Sequence, residues 1–359
     1  CYDDRTVALS YGSRIIFESM GLWPLLADRI EAIKTIHISD RGHFGVTRLH
    51  HDEEGVEALG YVAENRVLGE VLYQRLAENK NLQLHCPAEL TDLEQQADGV
   101  KVQYMDQGVS HTLKASLLVA ADGVTSQVRE LLQIGISKQD YQQSAVITNV
   151  TPGRPHQNVA YERFTDSGPL AFLPMTDNRC SVVWTASAER AEELVQLEDA
   201  EFLKQLQQRF GYRLGRLRKT GQRQVYPLAL VETTQVVRGR VVVVGNAAHA
   251  LHPVAGQGFN LALRDIALLA EMMVASEDVG AGSMLQSYET QRQKDAQRVY
   301  RFTDMLVKVF SNDVKPLAHL RAAGLVATDL MPSVKHLLAR QSMGLSGRMS
   351  RLARRLPIG

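Results

Sequence analysis

The sequence predicts an α/β fold with a β-rich insertion and a helical C-terminal region. Two buried apolar runs, SLLVA at residues 116–120 and VVVV at residues 241–244, each lead through a short turn into a helix. Between them, residues 144–184 show the alternation of sheet strands, and the chain after residue 284 has an almost wholly helical pattern. Strand–helix alternation on both sides of a β-rich middle favours two interleaved modules over separate domains in series.

Composition limits the classes of protein to which the chain can belong. Its 359 residues are 45% hydrophobic, which is enough for a large core, and the formal net charge is zero. Nothing global therefore argues for nucleic acid as a partner. Three scattered cysteines are too few for a disulfide framework or a zinc site, and no apolar run approaches the roughly 20 residues of a membrane span.

The remaining elements follow from local patterns. In chain order these patterns predict a helix interrupted at Gly21 (13–30), strands at 34–40 and 44–50, an amphipathic helix at 65–79, a β-meander at 82–105, a helix at 197–210 and an extended segment at 223–230. Within the meander, Asp98-Gly99 stands where a hairpin turn is expected. No internal repeat or low-complexity segment interrupts this order.

The segment VVVVGNAAHALHPVAGQGFNLALRD, residues 241–265, combines a strand, a turn with few side chains and a helix. A run of valines is typical of a strand buried on both faces of a parallel sheet, so Gly245 turns the chain where open α/β sheets bind their ligands. Gly256 and Gly258 let backbone amides approach a ligand, and the helix starting near Asn260 adds unpaired N–H groups. This arrangement suits an anionic or carbonyl-rich ligand, and an ordinary glycine-rich connection is the alternative.

A second motif, ADGVTSQVR at residues 121–129, follows the strand SLLVA. The strand delivers Asp122-Gly123 to the start of a helix, and Ser126 and Arg129 are one turn apart on that helix. Taken alone, Asp122 would be interpreted as a helix N-cap and nothing more.

Other kinds of catalytic centre receive little support from the sequence. His249 and His252 have an i, i+3 spacing that suits a metal, but no third ligand accompanies them, so no metal is expected. No GxSxG motif marks a nucleophilic serine.

The two motifs together resemble those of the class A flavoprotein monooxygenases, the flavin-dependent aromatic hydroxylases. That family has DGxxSxxR followed by G(D/N)AAHxxxPxxGQGxNxxxxD about 120 residues later, and both patterns occur here in that order. The similarity extends over the whole chain, and RTVALSYGS, ERFTDSGPLAFLPM and YPLAL are most similar to the ubiquinone-biosynthesis branch.

The resemblance implies an FAD/NAD(P)-binding Rossmann-like domain interleaved with a β-sheet substrate domain and followed by a C-terminal helical region. The implied division is an FAD-binding module at 1–75, 82–135 and 236–280, a β-rich substrate domain at 35–60 and 140–235, and the helical region at 281–359. We expect the FAD-binding domain to lack its first βαβ unit.

That expectation comes from one of two departures from the family pattern. The GxGxxG fingerprint, which the family places about forty residues before a segment like RTVAL, is absent, and so is the acidic residue that would hold the adenosine ribose. Since the chain also begins with Cys, we expect a truncated N-terminus, and a naturally defective protein is the alternative. The other departure is Asn246, where most relatives have Asp; an amide can still hydrogen-bond a ribityl hydroxyl, so only modest weakening is expected.

The resemblance also implies which residues hold FAD. Gly245 and Asn246 would meet the ribityl chain and pyrophosphate, and residues 253–260 would line the isoalloxazine ring, with backbone amides facing N1 and C2=O. Asp122-Gly123 belongs to a motif shared by FAD and its reductant, NAD(P)H. The expected cofactor-binding residues are Arg5, Asn65, Asp122, Gly123, Arg129, Gly245, Asn246, His249, Pro253, Gly256, Gln257, Gly258, Phe259 and Asn260.

The function that the resemblance implies is FAD-dependent hydroxylation of the ring of a polyprenyl phenol of the 2-octaprenyl-6-methoxyphenol type, in ubiquinone biosynthesis, with NAD(P)H and O2. In this family a flavin C4a-hydroperoxide carries the chemistry, so no side chain is assigned a catalytic role. The β-rich middle is expected to form the substrate floor with Phe164, Leu170, Phe172, Leu173, Pro174 and Trp184. The alternative is a non-catalytic scaffold or accessory member of the same fold that has lost FAD.

Residues 331–359 predict how the protein reaches a lipid substrate. They contain no Asp or Glu, and leucine and methionine alternate with six basic residues, Lys335, Arg340, Arg348, Arg351, Arg354 and Arg355. A basic amphipathic helix suits an anionic membrane surface or an acidic partner, and a helix packed on its own domain is the equal alternative. We expect a cytoplasmic protein with peripheral contact to the inner face of the membrane, and other ubiquinone-biosynthesis proteins as partners.

Overall fold

The computed structural model describes Tyr2 and residues 5–251, 256–310, 315–347 and 349–358, with side chains described except at 306–310 and 315–322. The described strands are β1 (Thr6–Ser10), β2 (Glu31–Ile33), β3 (Thr35–Asp40), β4 (Val46–His50), β5 (Gly60–Glu64), β6 (Glu89–Gln96), β7 (Gly99–Asp106), β8 (Val109–Ala115), β9 (Leu118–Ala120), β10 (Ile136–Thr151), β11 (Val159–Thr165), β12 (Gly168–Met175), β13 (Arg179–Ser187), β14 (Lys219–Thr220), β15 (Gln224–Thr233), β16 (Val237–Arg238), β17 (Val241–Val243) and β18 (His249–Ala250). The described helices are α1 (Tyr11–Ser19), α2 (Trp23–Leu26), α3 (Asn65–Glu78), α4 (Gln127–Leu131), α5 (Ala188–Gln196), α6 (Asp199–Phe210), α7 (Gln257–Val274), α8 (Gly282–Phe310), α9 (Lys315–Leu330) and α10 (Pro332–Ser342).

The largest sheet has nine strands in the order β18-β15-β10-β13-β12-β11-β3-β4, with β14 paired to β10. Its neighbours are antiparallel except β11 and β3, which run parallel. One face packs on α5 and α6 in an apolar core that contains Trp184, Phe202 and Phe210. The strands predicted within residues 144–184 are therefore confirmed, and the parallel pair joins the early strand β3 to the later ones.

The two motifs lie on a smaller sheet of order β16-β17-β9, in which β17 and β9 are parallel. Of the predicted meander at 82–105, residues 89–105 form β6 and β7 with Asp98 in the turn between them; residues 82–88 form no strand, and the third strand of this antiparallel sheet, β8, lies beyond the predicted range. A third small sheet, β1-β5-β2, packs on α1 and α3 in an apolar core that includes Leu9, Phe17 and Val67. Mixed helix and sheet of this kind is the predicted fold class.

The prediction of helix to the end of the chain is wrong beyond Ser342, where α10 ends. Gly344 and Gly347 have φ of 68° and 91°, and this left-handed backbone ends a helix. Leu352 and Ala353 are buried against α1, and Met343 accepts a hydrogen bond from the Gly12 N–H (2.8 Å). The tail therefore packs on the protein, but beyond Ser342 it does so without the helix that both interpretations assumed, and Arg348 lies outside the described residues.

None of the helices in the described part of the chain is long and apolar enough to cross a membrane.

Candidate active site

The structure brings the two motifs to one edge of a sheet. Because β9 and β17 are parallel, Asp122-Gly123 and Gly245-Asn246 both leave the carboxyl ends of neighbouring strands. The Val244 N–H donates to the Ala120 carbonyl (2.9 Å) and extends the pairing to the start of the turns. This edge is where open α/β sheets place a ligand.

Three glycines of the motifs have a backbone conformation that side chains disfavour. Gly123, Gly245 and Gly256 have φ of 84°, 61° and 59°, and a Cβ at Gly256 would lie 3.0 Å from that of Ala8. Gly258 differs, because it lies in α7 without positive φ, and among the described residues beyond its own helical turn no atom lies within 4 Å of the position a Cβ would take. Space for a ligand, and not backbone conformation, is therefore the reason for glycine at this position.

Asn260 fixes the start of α7 against β1. Its Oδ1 accepts hydrogen bonds from the Ser10 N–H (2.8 Å) and the Ser13 hydroxyl (2.7 Å). Its Nδ2 donates to the Ala8 carbonyl (2.8 Å) and to the Gly256 carbonyl (2.6 Å). All four hydrogen bonds are made within the protein, so Asn260 shapes the site as well as lining it.

The DGxxSxxR residues form the first turn of α4. Ser126 is its N-cap and accepts the Arg129 N–H (3.1 Å), while the Asp122 carboxylate accepts the Val128 N–H (3.0 Å). The Arg129 guanidinium is buried and donates to the Val124 carbonyl, but its Nε and Nη1 have no hydrogen-bond partner in the described part of the chain. Asp122 is thus not the N-cap itself, and Arg129 retains donors for a ligand.

A buried polar network holds the GNAAH turn against α7 and α8. Arg292 donates from Nη2 to Nδ1 of His249 (2.8 Å) and from Nε to the Asp265 carboxylate (2.8 Å). Burial raises the pKa of Asp265 to about 6, and the neighbouring Arg292 limits that rise. Burial and Arg292 lower the pKa of His249 to about 3, so the imidazole is neutral at physiological pH. Since Nδ1 accepts from Arg292, the neutral ring carries its proton on Nε2, which has no hydrogen-bond partner among the described residues.

The other predicted cofactor residues occupy different places. The Asn65 N–H donates to the Arg5 carbonyl (2.8 Å) where β1 passes the start of α3, and both side chains are exposed. Gln257 is buried and Phe259 is 38% exposed on the cavity described below. Pro253 and His252 lie outside the described residues.

A cavity of about 640 Å³ lies between the nine-stranded sheet, β1, the start of α7, and helices α8 to α10. Its floor contains one continuous cross-strand row, set by the strand register: Ile147, Val183, Ala171, Glu162, Ile38 and Thr47. Gly256, Gly258 and Phe259 of the second motif line the same cavity. The motif that the sequence linked to a flavin therefore faces an apolar chamber.

Only part of the predicted substrate floor faces this chamber. Phe164 and Leu173 line it, as predicted. Leu170, Phe172 and Trp184 lie on the opposite face of the sheet, and Pro174 is on the same side of β12 as Leu170 and Phe172. There the Phe172 ring stacks on the Phe210 ring, with 3.9 Å between the ring centroids. The structure corrects the prediction for these four, since side chains alternate along a strand and α6 covers their face.

Glu162 was missed by the sequence reasoning. It is the one Asp, Glu, Lys, Arg or His among the described residues that line the cavity. Burial raises the pKa of its carboxyl to about 7. The sequence carries no signal for this role, because Glu162 stands beside Arg163 in YERF, and only the strand register places it over the cavity.

Comparison with known proteins assigns the class. Residues 5–303 match the family model described as FAD binding domain, and the chain belongs to this family. The ubiquinone hydroxylase UbiL of Rhodospirillum rubrum is 38% identical over 99% of this chain and 84% of that protein. The 3-demethoxyubiquinol 3-hydroxylase of Escherichia coli is 29% identical over 96% of this chain and 88% of its own length.

The fold is also similar to that of solved flavin-dependent monooxygenases. The crystal structure of p-nitrophenol 4-monooxygenase PnpA from Pseudomonas putida superimposes with a TM-score of 0.79 at 18% identity, over 96% of this chain and 89% of that chain. The predicted fold, the FAD cofactor and the assignment to flavin-dependent monooxygenases are thus confirmed.

The residues present fit that cofactor. Three glycines with left-handed backbone stand at or beside the ligand edge of the parallel pair, and Gly258 leaves open space above the start of a helix. The unpartnered nitrogens of Arg129 add buried hydrogen-bond donors. Such a surface suits a ligand with phosphate and carbonyl oxygens, which FAD carries.

Proposed function

We propose that the protein is a monooxygenase that hydroxylates the aromatic ring of a polyprenyl phenol in ubiquinone biosynthesis, with NAD(P)H and O2 as co-substrates. The observation that carries this proposal is the apolar cavity, about 640 Å³ in volume, lined by Gly256, Gly258 and Phe259 on one side and by the sheet on the other. The relatives named as ubiquinone hydroxylases support the substrate class.

The chain's residues would hold FAD at two places. Gly245 and Asn246 would meet the ribityl chain and pyrophosphate, and the backbone amides from Gly256 to Phe259 would face the ring system. Bound FAD, reduced by NAD(P)H, supplies the activation of dioxygen. The protein supplies the position of the substrate ring, an apolar wall that excludes water, and fixed dipoles at the start of α7.

A flavin spectrum combined with turnover tests the proposal against the scaffold alternative. We expect the full-length protein to carry FAD and to oxidise NAD(P)H faster when a 2-octaprenyl-6-methoxyphenol analogue with a short prenyl chain is added, with a product that has gained one oxygen atom. A protein that binds no FAD, yet binds other proteins of the pathway, would favour the scaffold. A protein that carries FAD and does not oxygenate the phenol would contradict the proposed reaction.

We also propose that the corner between α9 and α10 contacts the membrane that contains such a lipid. Leu330, Met331 and Leu337 are 74%, 52% and 67% exposed there, and Leu325 and Leu338 of the same helices line the cavity. The sequence led us to expect membrane contact through a basic amphipathic helix. Because α10 ends at Ser342, we assign the contact to this apolar corner instead.

Vesicle co-sedimentation tests this contact. The double variant Leu330→Ser/Leu337→Ser is expected to bind vesicles of mixed neutral and anionic phospholipid less than the wild type, because the buried apolar area is lost. Leu84→Ser, at a leucine that is 60% exposed beside the meander, is the matched control and is expected to bind normally. Equal sedimentation of the double variant and the wild type would contradict the contact.

A further inference from the structure

Glu162 occupies the middle of the cavity floor. Its strand β11 lies between β3 and β12, and its cross-strand neighbours are Ile38 and Ala171. The strands beyond them contribute Thr47 on one side and Val183 on the other. A single carboxyl therefore stands in a row of otherwise uncharged side chains, all of which line the same cavity.

The carboxyl has no partner among the residues that the structure describes. No hydrogen bond or ion pair joins it to another residue in the described parts of the chain, and burial alone accounts for its raised pKa. Two threonines that line the cavity differ, because they already bond within the protein. Thr47 donates to the Leu325 carbonyl (2.8 Å), and Thr328 donates to the Gly324 carbonyl (2.8 Å).

An unpartnered carboxyl in an apolar chamber destabilises the folded protein unless a ligand meets it. The surface that Glu162 leaves accessible faces the cavity, so a ligand bound there can reach it. The ligand must match both features of the chamber: a mostly apolar body and one hydrogen-bond donor near the middle of the floor.

We propose that Glu162 binds a hydroxyl group on the aromatic ring of the substrate and thereby fixes the ring in the cavity. The inference rests on the proposed function, since it takes the substrate to be a phenol. The carboxylate accepts the hydrogen bond from the phenolic O–H, and the prenyl chain lies along the apolar walls. Glu162 is then a substrate-binding residue that determines specificity.

The same arrangement selects against anionic rings. None of the described residues that line the cavity is Lys, Arg or His. A ring that carries a carboxylate would bring a second negative charge near Glu162, and no cation among the described lining residues offsets the repulsion or the loss of hydration. The site therefore takes neutral hydroxylated rings and rejects aromatic acids.

Equilibrium dialysis of the FAD-loaded protein with three probes tests the inference. The probes are an ortho-prenylphenol, its methyl ether, and the same phenol with a ring carboxylate. We expect the wild type to bind the phenol about tenfold more tightly than either of the others, because the ether has no hydroxyl to donate to the carboxyl and the acid brings a second negative charge near it. We expect Glu162→Leu to bind the phenol and its ether within about twofold of each other.

Two further variants keep the test decisive. Glu162→Gln retains a hydrogen-bonding group of the same shape, so we expect it to keep part of the preference for the phenol, and it serves if Glu162→Leu fails to fold. Glu192→Gln changes an exposed glutamate on α5, behind the opposite face of the sheet, and is expected to keep the full preference.

The outcomes separate this inference from the proposed function. A Glu162→Leu protein that still prefers the phenol over its ether by the wild-type factor overturns the role of Glu162, as does a wild type without any preference. If Glu162→Leu does not fold, an undiminished preference in Glu162→Gln overturns it. A wild type that prefers the phenol through Glu162 but never oxygenates it contradicts the proposed reaction and leaves the binding role supported.

Discussion

Replacing Glu162 with glutamine should stabilise the protein at neutral and alkaline pH. Burial raises the pKa of the carboxyl from 4.5 to about 7, so the folded protein disfavours its ionised form. Well below pH 4.5 the carboxyl is protonated and uncharged in both the folded and the unfolded chain, so it does not change the free energy of unfolding. As the pH rises through the window from 4.5 to about 7, the unfolded chain loses the proton first, so the stability of the wild type falls.

The size of this stabilisation follows from the shift in the pKa of Glu162. A rise from 4.5 to about 7 corresponds to about 3 kcal/mol of folding free energy lost above the window. Glutamine has nearly the same shape and no charge, so the variant avoids that loss. For a chain of 359 residues, about 3 kcal/mol corresponds to a rise in Tm of about 4 °C.

Thermal unfolding of the substrate-free protein at two pH values measures this difference. We expect Glu162→Gln to unfold about 4 °C above the wild type at about pH 8, and at nearly the same temperature at about pH 4. Glu192→Gln, at an exposed position, should shift by less than about 0.5 kcal/mol at either pH. A wild type that is as stable as Glu162→Gln at the higher pH would refute the reasoning about a buried, unpartnered carboxyl.

Three further predictions concern the motif residues. Asn260→Leu leaves the Ser10 N–H and the Ala8 carbonyl without partners, so the free energy of unfolding in denaturant should fall by about 3 kcal/mol; a loss below about 1 kcal/mol would contradict the bonding described. Gly258→Val should change the Tm of the FAD-free protein by no more than a few degrees while abolishing FAD binding in a fluorescence titration. Gly256→Val, at a position with positive φ, should lower both the Tm and the affinity for FAD. Normal FAD affinity in Gly258→Val would show that FAD does not occupy the space above Gly258. Asn246→Asp should tighten FAD binding several-fold in the same titration, because a carboxylate accepts the ribityl hydroxyl more strongly, and weaker binding would count against that contact.

Much of the fold could be predicted because its signals are local. The meander with its turn at Asp98-Gly99, the helix α3 and the strand–turn–helix at residues 241–265 each follow from periodicity and turn residues nearby in the chain. The tail is an exception in which the signal was available: Gly344 and Gly347 interrupt the apolar pattern where the helix ends. The leucine and arginine residues of the tail do not indicate a helix beyond this point, because the two glycines end the helix.

The substrate side of the site was harder to predict. Strand β12, GPLAFLPM, is apolar on both faces, so its period indicates a strand but not which face meets the helices. That choice depends on α5 and α6, which pack behind Leu170 and Phe172 and leave Ala171 and Leu173 toward the cavity. Glu162 became visible only once the register placed it beside Ile38 and Ala171.

The motif side could be predicted because the spacing of its glycines has a direct backbone meaning. Gly123, Gly245 and Gly256 have the left-handed conformation that glycine permits, and the parallel pair of β9 and β17 brings the first two together. The hydrogen bonds of Asn260 to Ser10 and Ala8 span about 250 residues of chain and could not be read from either segment alone.

Isotope incorporation tests the central claim most directly. The FAD-loaded protein is incubated with NAD(P)H, an ortho-prenylated methoxyphenol and isotopically heavy dioxygen, and the product is analysed by mass spectrometry. A flavin-dependent ring hydroxylase must place one heavy oxygen atom on the ring, only when both the reductant and FAD are present. A product whose new oxygen comes from water, or the absence of any oxygenated product from a protein with full FAD content, would contradict the account.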